Sequence, residues 1–379
     1  MTGAPYTTDT LTALQAQRHA LEIVFGPMLF QVAWVMRRIG LLELLADPTH
    51  LEGLTLGETC AALGRGRYPL QVLVEAGLSG GILLRRPGGP GGAERYRLTK
   101  AGQLLANDAT TAVLMDFVQD VCYLGMAELG RAIETGEPAG LKRLGDWSTL
   151  YAALDMLPAT MREAWYRYDH YFSDRTFSEA LATVFDPAPR TLLDVGGNTG
   201  RWALRCVAYD PEVEVAVLDL PHQAVELAGR VAGQPGAERI RGIGVDLLGP
   251  EARIPGGFDV IWMSQFLDCF AASNIVRLLR MAAQAMTPDT RLYVNEIYWD
   301  RQRFETAAFV ATQSSPYFTT MANGHSKFLA WADMEAYIVA AGLTVEANRD
   351  GLGLGHTLTC CRLARPNAAP ATPVCGPAS

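Results

Sequence analysis

The C-terminal half of the sequence alternates short apolar runs with segments of helical character, beginning near residue 190. Four of these runs are TLLDVGG, VEVAVLDLP, FDVIWMS and RLYVNEIYW. Each run has the length and the aliphatic or aromatic content of a strand that is buried on both faces. Because successive strands of a parallel sheet need a crossover, usually a helix, the alternation predicts an α/β fold with a doubly wound parallel sheet over residues 186–365.

The N-terminal part of the sequence predicts helices. Residues 11–25 carry apolar side chains at helical spacing, and Gly26-Pro27 ends or kinks this helix. The following stretch, PMLFQVAWVMRRIGLLELLA, is apolar on more than one face. A helix of this kind needs burial on several sides, either inside its own domain or against a partner chain.

Residues 55–82 add two short helices, LGETCAALG and PLQVLVEAG, and the proline that opens the second suits a first helical turn. The strand GILLRR, the glycine- and proline-rich tip PGGPGGA and the segment ERYRLTKAGQLLA follow. This succession has the outline of a winged helix, which we predict for residues 1–110 as a dimerisation module.

The charge of the chain bears on its partners. A formal charge of −8 and a sequence pI of about 5.4 do not supply the positive field that attracts nucleic acids or anionic membranes. The candidate recognition helix, PLQVLVEAG, contains no lysine or arginine. A few basic residues near the wing, Arg85 and Arg86 among them, leave a DNA-binding regulator as the weaker alternative. We therefore expect no nucleic-acid partner and no membrane partner.

Residues 111–185 show almost no strand-like alternation and predict a helical linker that contributes to acceptor binding, with breaks near Gly136 and Pro158. The segment 366–379 is rich in proline and alanine and is expected to be disordered. The seven cysteines form no CxxC pair, and no secretory or membrane-spanning segment is recognisable. These features predict a cytoplasmic protein with reduced thiols and no bound metal.

The strand TLLDV runs directly into GGNTGRWALRCVA, so that three glycines lie where a strand turns into a helix. Gly196, Gly197 and Gly200 allow a sharp turn and let a cofactor approach bare backbone at the start of the helix. Asp194 ends the same strand, where its carboxylate would repel a pyrophosphate. This arrangement favours a ligand with a positive centre and an amino group, S-adenosylmethionine, over a nicotinamide dinucleotide.

Two further acids follow neighbouring strands. Asp219 ends the second strand, where Rossmann-type sites place the carboxylate that binds ribose hydroxyls. Asp246 follows the third candidate strand, RIRGIGVDLL, from which a carboxylate can reach an adenine amino group. A helix-capping role explains any one of these acids, but it does not explain the set.

The segments LLDVGGNTG, VLDLPHQAVELA and RYRLTKAGQLLA together resemble the class I S-adenosylmethionine-dependent methyltransferases, and more narrowly the small-molecule O-methyltransferases of plants and bacterial natural-product pathways. The resemblance extends from about residue 15 to residue 364. It implies a Rossmann-like catalytic domain, a winged-helix dimerisation domain, a homodimer and a small aromatic acceptor. S-adenosyl-L-methionine would be the cofactor and S-adenosyl-L-homocysteine the product.

By this resemblance, individual residues are assigned to the parts of the ligands. The cofactor residues are Asp194, Gly196, Gly197 and Gly200 at the methionine end, Asp219 at the ribose, Asp246 and Leu247 at the adenine, and in addition Leu220 and Ser264. The acceptor residues are Tyr168, Asp169, His170, Phe270, Tyr317 and Met321. Each acceptor residue is also compatible with ordinary core packing.

The family carries Leu-His-Asp-Trp after the fourth strand, and its histidine is the general base. The corresponding residues here are Leu267-Asp268-Cys269-Phe270, so that Asp268 stands where the histidine is expected. Glu296 matches the glutamate that flanks the base, and His325 is the reserve candidate for an acid-base role. An aspartate is an effective base only where apolar neighbours or another carboxylate raise its pKa.

The exchange of histidine for aspartate leaves several interpretations open. Asp268 can act as the base for O-methylation of a phenol, or it can direct methylation to the ring carbon ortho to the hydroxyl. It can instead bind an ammonium group of an amino-acid-like acceptor, or only cap a helix. A relative that binds the cofactor without transferring methyl is the alternative enzyme class.

Overall fold

The computed structural model describes residues 6–88 and 92–364. The chain divides into two compact units. The first unit runs to Tyr123 and also includes Pro158–Tyr168, and the second contains the remaining described residues.

The division of the chain differs in detail from the predicted segments. Residues 111–185, predicted as one helical linker, are shared between the two units. The predicted boundaries at residues 110, 185 and 365 stay predictions. The segment 366–379, expected to be disordered, lies outside the described residues.

The first unit is mostly helical and contains a small antiparallel sheet of order β1-β3-β2. Its helices are α1 (Ala13–Val24), α2 (Gly26–Arg38), α3 (Leu41–Ala46), α4 (Leu56–Leu63), α5 (Arg67–Ser79), α6 (Lys100–Asn107) and α7 (Ala109–Phe117). Its strands are β1 (Leu54–Thr55), β2 (Leu83–Arg86) and β3 (Arg95–Leu98). The two helices α4 and α5 followed by the β2–β3 ribbon give the succession that the sequence predicts for a winged helix.

Local sequence explains where the two middle helices of this unit begin. Thr55 caps α4, since its side chain accepts a hydrogen bond from the backbone N–H of Glu58 at 3.1 Å, and the side chain of Glu58 accepts one from the backbone N–H of Thr55 at 2.7 Å. Helix α5 begins at Arg67, two residues before the proline that we expected to open it. Pro69 still lies in the first turn, where the absent N–H removes no helical hydrogen bond.

Helix α1 has no buried residue, although much of it is apolar. Leu14, Ile23 and Val24 are 76%, 67% and 65% exposed. The next helix contributes Met36 to the core of the unit, where Leu41 is also fully buried. Among the described residues no single helix has both the length and the hydropathy of a membrane span, and α1 and α2 meet the test only as a pair bent by 67°.

The second unit contains a seven-stranded sheet of order β6-β5-β4-β7-β8-β10-β9. The strands are β4 (Thr191–Val195), β5 (Glu214–Asp219), β6 (Ile240–Gly244), β7 (Val260–Ser264), β8 (Arg291–Glu296), β9 (Leu343–Leu352) and β10 (His356–Leu363). The first five in this order are parallel, β10 is antiparallel to β8, and β9 is antiparallel to β10 and so runs in the same direction as the first five. The doubly wound sheet is therefore confirmed, whereas the antiparallel strand β10 and the edge strand β9 were not part of the prediction.

The helices after residue 124 follow in chain order, and the first part of α10, up to Tyr168, belongs to the first unit. They are α8 (Leu129–Thr135), α9 (Leu150–Ala153), α10 (Ala159–Ser173), α11 (Phe177–Val184), α12 (Arg201–Tyr209), α13 (Pro221–Val231), α14 (Ala272–Ala285), α15 (Glu305–Tyr317) and α16 (Trp331–Ala340). The predicted breaks are confirmed, because α8 ends at Gly136 with φ +68° and α10 begins directly after Pro158.

The sheet separates two apolar cores. Leu193 faces one core and its neighbour Leu192 faces the other, as the two-residue period of a strand requires. Burial on both faces explains why the parallel strands read as continuous apolar runs. The order of the parallel strands reverses between β4 and β7, and in sheets of this kind ligands bind beyond the carboxyl ends of the strands at that reversal.

Candidate active site

The loop between β4 and α12 has no room for side chains at two of its glycines. Gly196 has φ +75°, and a Cβ there would collide with the ring of Phe266. A Cβ at Gly197 would collide with the carboxylate of Asp194. Gly200, with φ +76°, precedes the first residue of α12. The loop therefore presents bare backbone at a helix N-terminus.

Asp194 points beneath this loop. It is 2% exposed, and its Oδ2 has no hydrogen-bond partner among the described residues. Burial, followed by the charge of Asp219, raises its pKa to about 8. A buried carboxyl with an unused oxygen fits the ammonium-bearing methionine end of S-adenosylmethionine, and it does not fit a pyrophosphate.

Asp219, the last residue of β5, is tied to the glycine loop. Its Oδ2 accepts a hydrogen bond from the backbone N–H of Asn198 at 2.8 Å, and its Oδ1 accepts one from Leu220 at 2.7 Å. Burial raises its pKa, although the two backbone donors act in the opposite direction. Asp194 and Asp219, the first two acids predicted from the sequence, thus both contact the glycine loop.

The remaining predicted cofactor residues follow neighbouring strands. Asp246 is exposed and accepts a hydrogen bond from the backbone of Leu248 at 2.9 Å, while Leu247 is buried in the core. Ser264 ends β7 and accepts a hydrogen bond from Asn295 at 2.9 Å. These residues lie at or just beyond the carboxyl ends of β6 and β7, and their roles toward a cofactor stay predictions.

Asp268 lies in a single 3₁₀ turn, Leu267–Cys269, shortly after β7. It is 4% exposed, and burial raises the pKa of its carboxyl to about 7. The thiol of Cys269 is its hydrogen-bond neighbour, with Sγ 3.5 Å from Oδ1. Helix α14 has Ala271 as its N-cap and no side-chain cap, so the interpretation of Asp268 as the cap of that helix is wrong.

Glu296, the last residue of β8, holds the segment that carries Asp268. Its Oε1 accepts hydrogen bonds from the backbone N–H groups of Phe266 at 3.0 Å and Leu267 at 2.8 Å. Its Oε2 is buried and has no partner among the described residues. Burial, and then the charge of Asp268, raise the pKa of Glu296 well above its ordinary value.

A third carboxyl, that of Asp169, belongs to the same group. Burial raises its pKa to about 7, and the charge of Asp268 is the next largest cause. Its Oδ1 accepts a hydrogen bond from Nε2 of Gln265 at 3.4 Å, and Oε1 of Gln265 lies 3.1 Å from Nε2 of His356. His356 is fully buried, which lowers its pKa to about 3 and keeps the ring neutral.

An aromatic and polar wall surrounds Asp268. Phe270 packs edge-to-face on Phe266, with ring centroids 4.9 Å apart. Asn323 donates a hydrogen bond to the backbone oxygen of Cys269 at 2.6 Å. The hydroxyl of Tyr151 lies beside the thiol of Cys269, and burial raises its pKa well above the ordinary value. Tyr317 is buried near Tyr151 and is thus the second predicted acceptor residue in this wall.

Other predicted residues make contacts elsewhere. His170 faces the glycine loop, with Nε2 3.3 Å from the hydroxyl of Thr199, and burial followed by the charge of Arg201 lowers its pKa to about 4. Met321 is buried against Gly125 and Gly140. His325 is exposed, so its reserve role has no contact among the described residues that supports it.

Tyr168 lies in the first unit, whereas Asp169 belongs to the second. Its ring stacks on Phe117 at a centroid distance of 3.9 Å. This contact is the packing that an aromatic residue on a helix is expected to make, and a role in acceptor binding stays a prediction.

Gln265, Tyr151 and His356 are site residues that the sequence did not reveal as such. Gln265 has φ +47°, a left-handed conformation that is rare for a residue with a Cβ, and no turn signal precedes it. Tyr151 lies far from the motifs in sequence. His356 begins β10, which the prediction of a parallel sheet did not include. Among residues 6–88 and 92–364, no group of three or more histidines, cysteines or acids could hold a metal ion.

Comparison with known proteins gives two family matches. Residues 17–88 match the family described as Dimerisation2-like domain, and residues 193–292 match the family described as Methyltransferase domain. The second range contains the glycine loop, the acid after β5 and the Asp268 segment.

Full-length relatives are similar across most of the chain. The L-tyrosine C(3)-methyltransferase of Streptomyces lavendulae is 26% identical over 330 residues, 86% of each chain. The O-demethylpuromycin-O-methyltransferase of Streptomyces alboniger is 27% identical over 293 residues, which cover 74% of this chain and 72% of the relative. The solved structure of the S-adenosylmethionine-dependent methyltransferase SibL is 26% identical, with a TM-score of 0.68 over 92% of this chain and 99% of SibL.

These matches agree with the bare glycine loop, with the acids at the ends of β4 and β5, and with the strand order of the sheet. The chain is therefore an S-adenosylmethionine-dependent methyltransferase that carries a Dimerisation2-like domain before its methyltransferase domain.

Proposed function

We propose that the chain transfers a methyl group to a small aromatic acceptor, phenolic or amino-acid-like, with Asp268 as the base in place of the family's histidine. The observation that carries the proposal is the buried carboxyl of Asp268, next to Glu296 and one strand away from the glycine loop. S-adenosylmethionine supplies an electrophilic methyl group when bound. The chain's own residues have to orient the acceptor and remove its proton.

The pKa of Asp268 suits proton removal from a phenol. A phenol has a pKa near ~10, and an ordinary aspartate near ~3.9 is too weak a base for it. Burial raises the pKa of Asp268 to about 7, which reduces the difference between the pKa of the phenol and that of the carboxyl by about half. At neutral pH a large fraction of the carboxyl is still ionised, so the group combines basicity with the correct protonation state.

Glu296 supports this role in two ways. Its hydrogen bonds to the backbone of Phe266 and Leu267 fix the turn in which Asp268 lies. The charge of Asp268 also raises the pKa of Glu296, because two neighbouring buried carboxyls bind a proton more readily than an isolated acid does. The proton taken from the acceptor can therefore remain on the pair until the product leaves.

The same turn is in contact with the cofactor loop. The ring of Phe266 lies against Gly196, and β4 and β7 are neighbouring parallel strands. Holding acceptor and cofactor in line lowers the barrier of a displacement at carbon, and a fixed turn serves that purpose. Phe266 and Phe270 offer apolar surface for an aromatic ring.

Methylation at oxygen and methylation at the ortho carbon begin from the same ionised phenol, in which both atoms are nucleophilic. The named relatives include a C(3)-methyltransferase and an O-methyltransferase. Product analysis by proton NMR distinguishes the two, because an aryl methyl ether and an aryl methyl group have different chemical shifts.

The test of this function is turnover with a panel of phenols and aromatic amino acids. We expect S-adenosylhomocysteine to be released in step with acceptor loss, and we expect the release to depend on Asp268. If the cofactor binds but no member of a broad panel is methylated, the proposal is wrong.

We also propose that the chain is a homodimer whose partner covers α1. The match to a dimerisation domain supports this, as does the exposure of Leu14 and Ile23 on a helix without buried residues. The double variant Leu14→Glu and Ile23→Glu is expected to shift the mass measured by light scattering from dimer to monomer. A wild-type chain that is monomeric at micromolar concentration would contradict the assignment.

A further inference from the structure

We propose that the acceptor carries a protonated amine, and that Asp169 is the residue against which this ammonium group binds while Asp268 acts on the hydroxyl. The inference rests on the proposed function and specifies its substrate class. It assigns separate roles to two acids that lie in one group.

The first observation is a group of three carboxyls without a matching cation. Gln265 is hydrogen-bonded to Asp169 and directly precedes the turn of Asp268, which Glu296 holds through the backbone of Phe266 and Leu267. The charge of Asp268 acts on both of the other acids. Among the described residues the cation that acts on this group is Arg201, which acts on Asp169 and is itself paired with Asp174. A buried carboxylate that lacks a countercharge is costly, so a group of this kind is suited to a ligand that brings positive charge with it.

The second observation is an unused acceptor inside the group. Oε2 of Glu296 is buried, and no described residue donates to it, although the side chain is only 1% exposed. An ammonium group has three N–H donors and no acceptor, and so it complements a site made of carboxylate oxygens. A neutral phenol offers a single donor.

The third observation concerns the orientation of Asp169. Burial keeps His356 neutral, so its ring carries one proton, and a proton on Nε2 meets Oε1 of Gln265 at 3.1 Å. The amide of Gln265 then turns its NH₂ group toward Oδ1 of Asp169. This chain of contacts holds one oxygen of Asp169 and leaves the other available to a ligand.

The cofactor does not account for this site. Its amine already has a matching carboxyl in Asp194, whose free oxygen lies under the glycine loop. The sulfonium of the cofactor carries one positive charge, whereas three acids form the group. An acceptor with a carboxylate at the same place would be repelled by whichever of these acids are ionised.

The experiment compares a phenol that carries an ammonium group with the phenol that has hydrogen in its place. Tyramine and 4-ethylphenol are titrated by calorimetry into the complex of the full chain with S-adenosylhomocysteine, at pH 8. Tyramine is expected to bind about 10- to 100-fold more tightly, as a charge-assisted hydrogen bond predicts. The ratio is expected to fall to about 1–2 in Asp169→Asn, because the neutral amide no longer attracts the ammonium.

A matched control and a second variant distinguish a specific loss of the ammonium site from misfolding of the protein. Glu163→Gln removes an exposed carboxylate from the same helix, α10, and should leave the ratio unchanged. Gln265→Asn keeps a residue that tolerates the left-handed backbone but shortens the amide, and it should lower the ratio without lowering affinity for S-adenosylhomocysteine.

The inference is overturned if wild-type protein binds the two phenols equally, if it does not bind tyramine, or if Asp169→Asn keeps the full preference. Equal methylation of both phenols, still dependent on Asp268, removes the ammonium site and leaves the proposed function intact. Binding of tyramine without any release of S-adenosylhomocysteine across the acceptor panel removes the proposed function instead.

Discussion

Glu296 accepts a hydrogen bond from the backbone N–H of Leu267 at 2.8 Å, one residue before Asp268. One carboxylate thereby fixes the turn that carries the other, and its own second oxygen remains buried without a partner among the described residues. The two acids come from the ends of neighbouring parallel strands, β7 and β8. Burial raises the pKa of both, and the charge of Asp268 raises that of Glu296 further, so that Asp268 gains the basicity that a carboxylate base requires.

Replacement of the base should affect turnover and not cofactor binding. Asp268→Asn is expected to lower kcat by the ~10²–10⁴ typical of a lost general base. The affinity for S-adenosylhomocysteine, measured by calorimetry, should stay within about twofold of wild type, because the contacts of the glycine loop are unchanged. Full activity in this variant would mean that proximity alone drives the reaction.

The pH dependence of turnover should report the ionisation of Asp268. A base acts in its deprotonated form, so kcat should rise with pH and reach half of its plateau near pH 7, where the pKa of Asp268 lies. In Asp268→Asn the ionisable group is absent, so the residual activity should lose the midpoint near pH 7. A midpoint that persists in this variant would assign the pH profile to another group.

The stability of the ligand-free protein should fall as pH rises, whereas turnover should increase. Asp268 has a raised pKa in the folded state, so the folded chain binds more protons than the unfolded chain between about pH 4 and 7, and the free energy of unfolding falls as pH rises through that window. Asp268→Asn resembles the protonated form and lacks this loss. We expect the variant to gain stability relative to wild type from pH 5 to pH 8 in urea titrations. A difference that stays constant over this range would be evidence against burial of an ionisable group at this position.

The glycine loop provides a test of cofactor binding with an internal control. In Gly197→Ala the new methyl group meets the carboxylate of Asp194, so the loop has to shift, and we expect at least about a tenfold loss in affinity for S-adenosylmethionine. Gly229→Ala, in α13, adds a methyl group with nothing within 4 Å and should stabilise its helix by up to about 1 kcal/mol. Calorimetry and thermal unfolding of both variants check the pair. Equal affinities in the two variants would show that the loop does not hold the cofactor closely.

Much of the architecture follows from short-range patterns. The apolar runs around Leu193 and Ile261 are buried on both faces, and a strand of this kind has few alternatives to a parallel sheet. The turn at Gly196 is equally local, because its positive φ and the adjacent ring of Phe266 leave no space for a side chain. Such features depend on the spacing and the type of residues that are close in sequence, so they can be predicted without the tertiary structure.

The edge of the sheet was harder to predict. Strands β9 and β10 contain polar and charged residues, Arg349 and Asp350 among them, because β9 is exposed at the edge. Because these strands lack a continuous apolar run, their place in the sheet depends on contacts with the other strands and not on their own sequence pattern. For the same reason, the place of His356 at the start of β10 could not be linked to the active site in advance.

The sequence by itself determined that a carboxylate replaces the expected histidine at position 268, and that glycines and acids follow successive strands. Only the tertiary structure determined the pKa of that carboxylate and the residues that surround it. It brings Asp169 and Glu296, distant in sequence, to the same buried place, and it sets Gln265 in a left-handed turn between Asp169 and His356. The physical reason is that a pKa depends on burial and on neighbouring charges, and both are set by contacts between segments that no local pattern specifies.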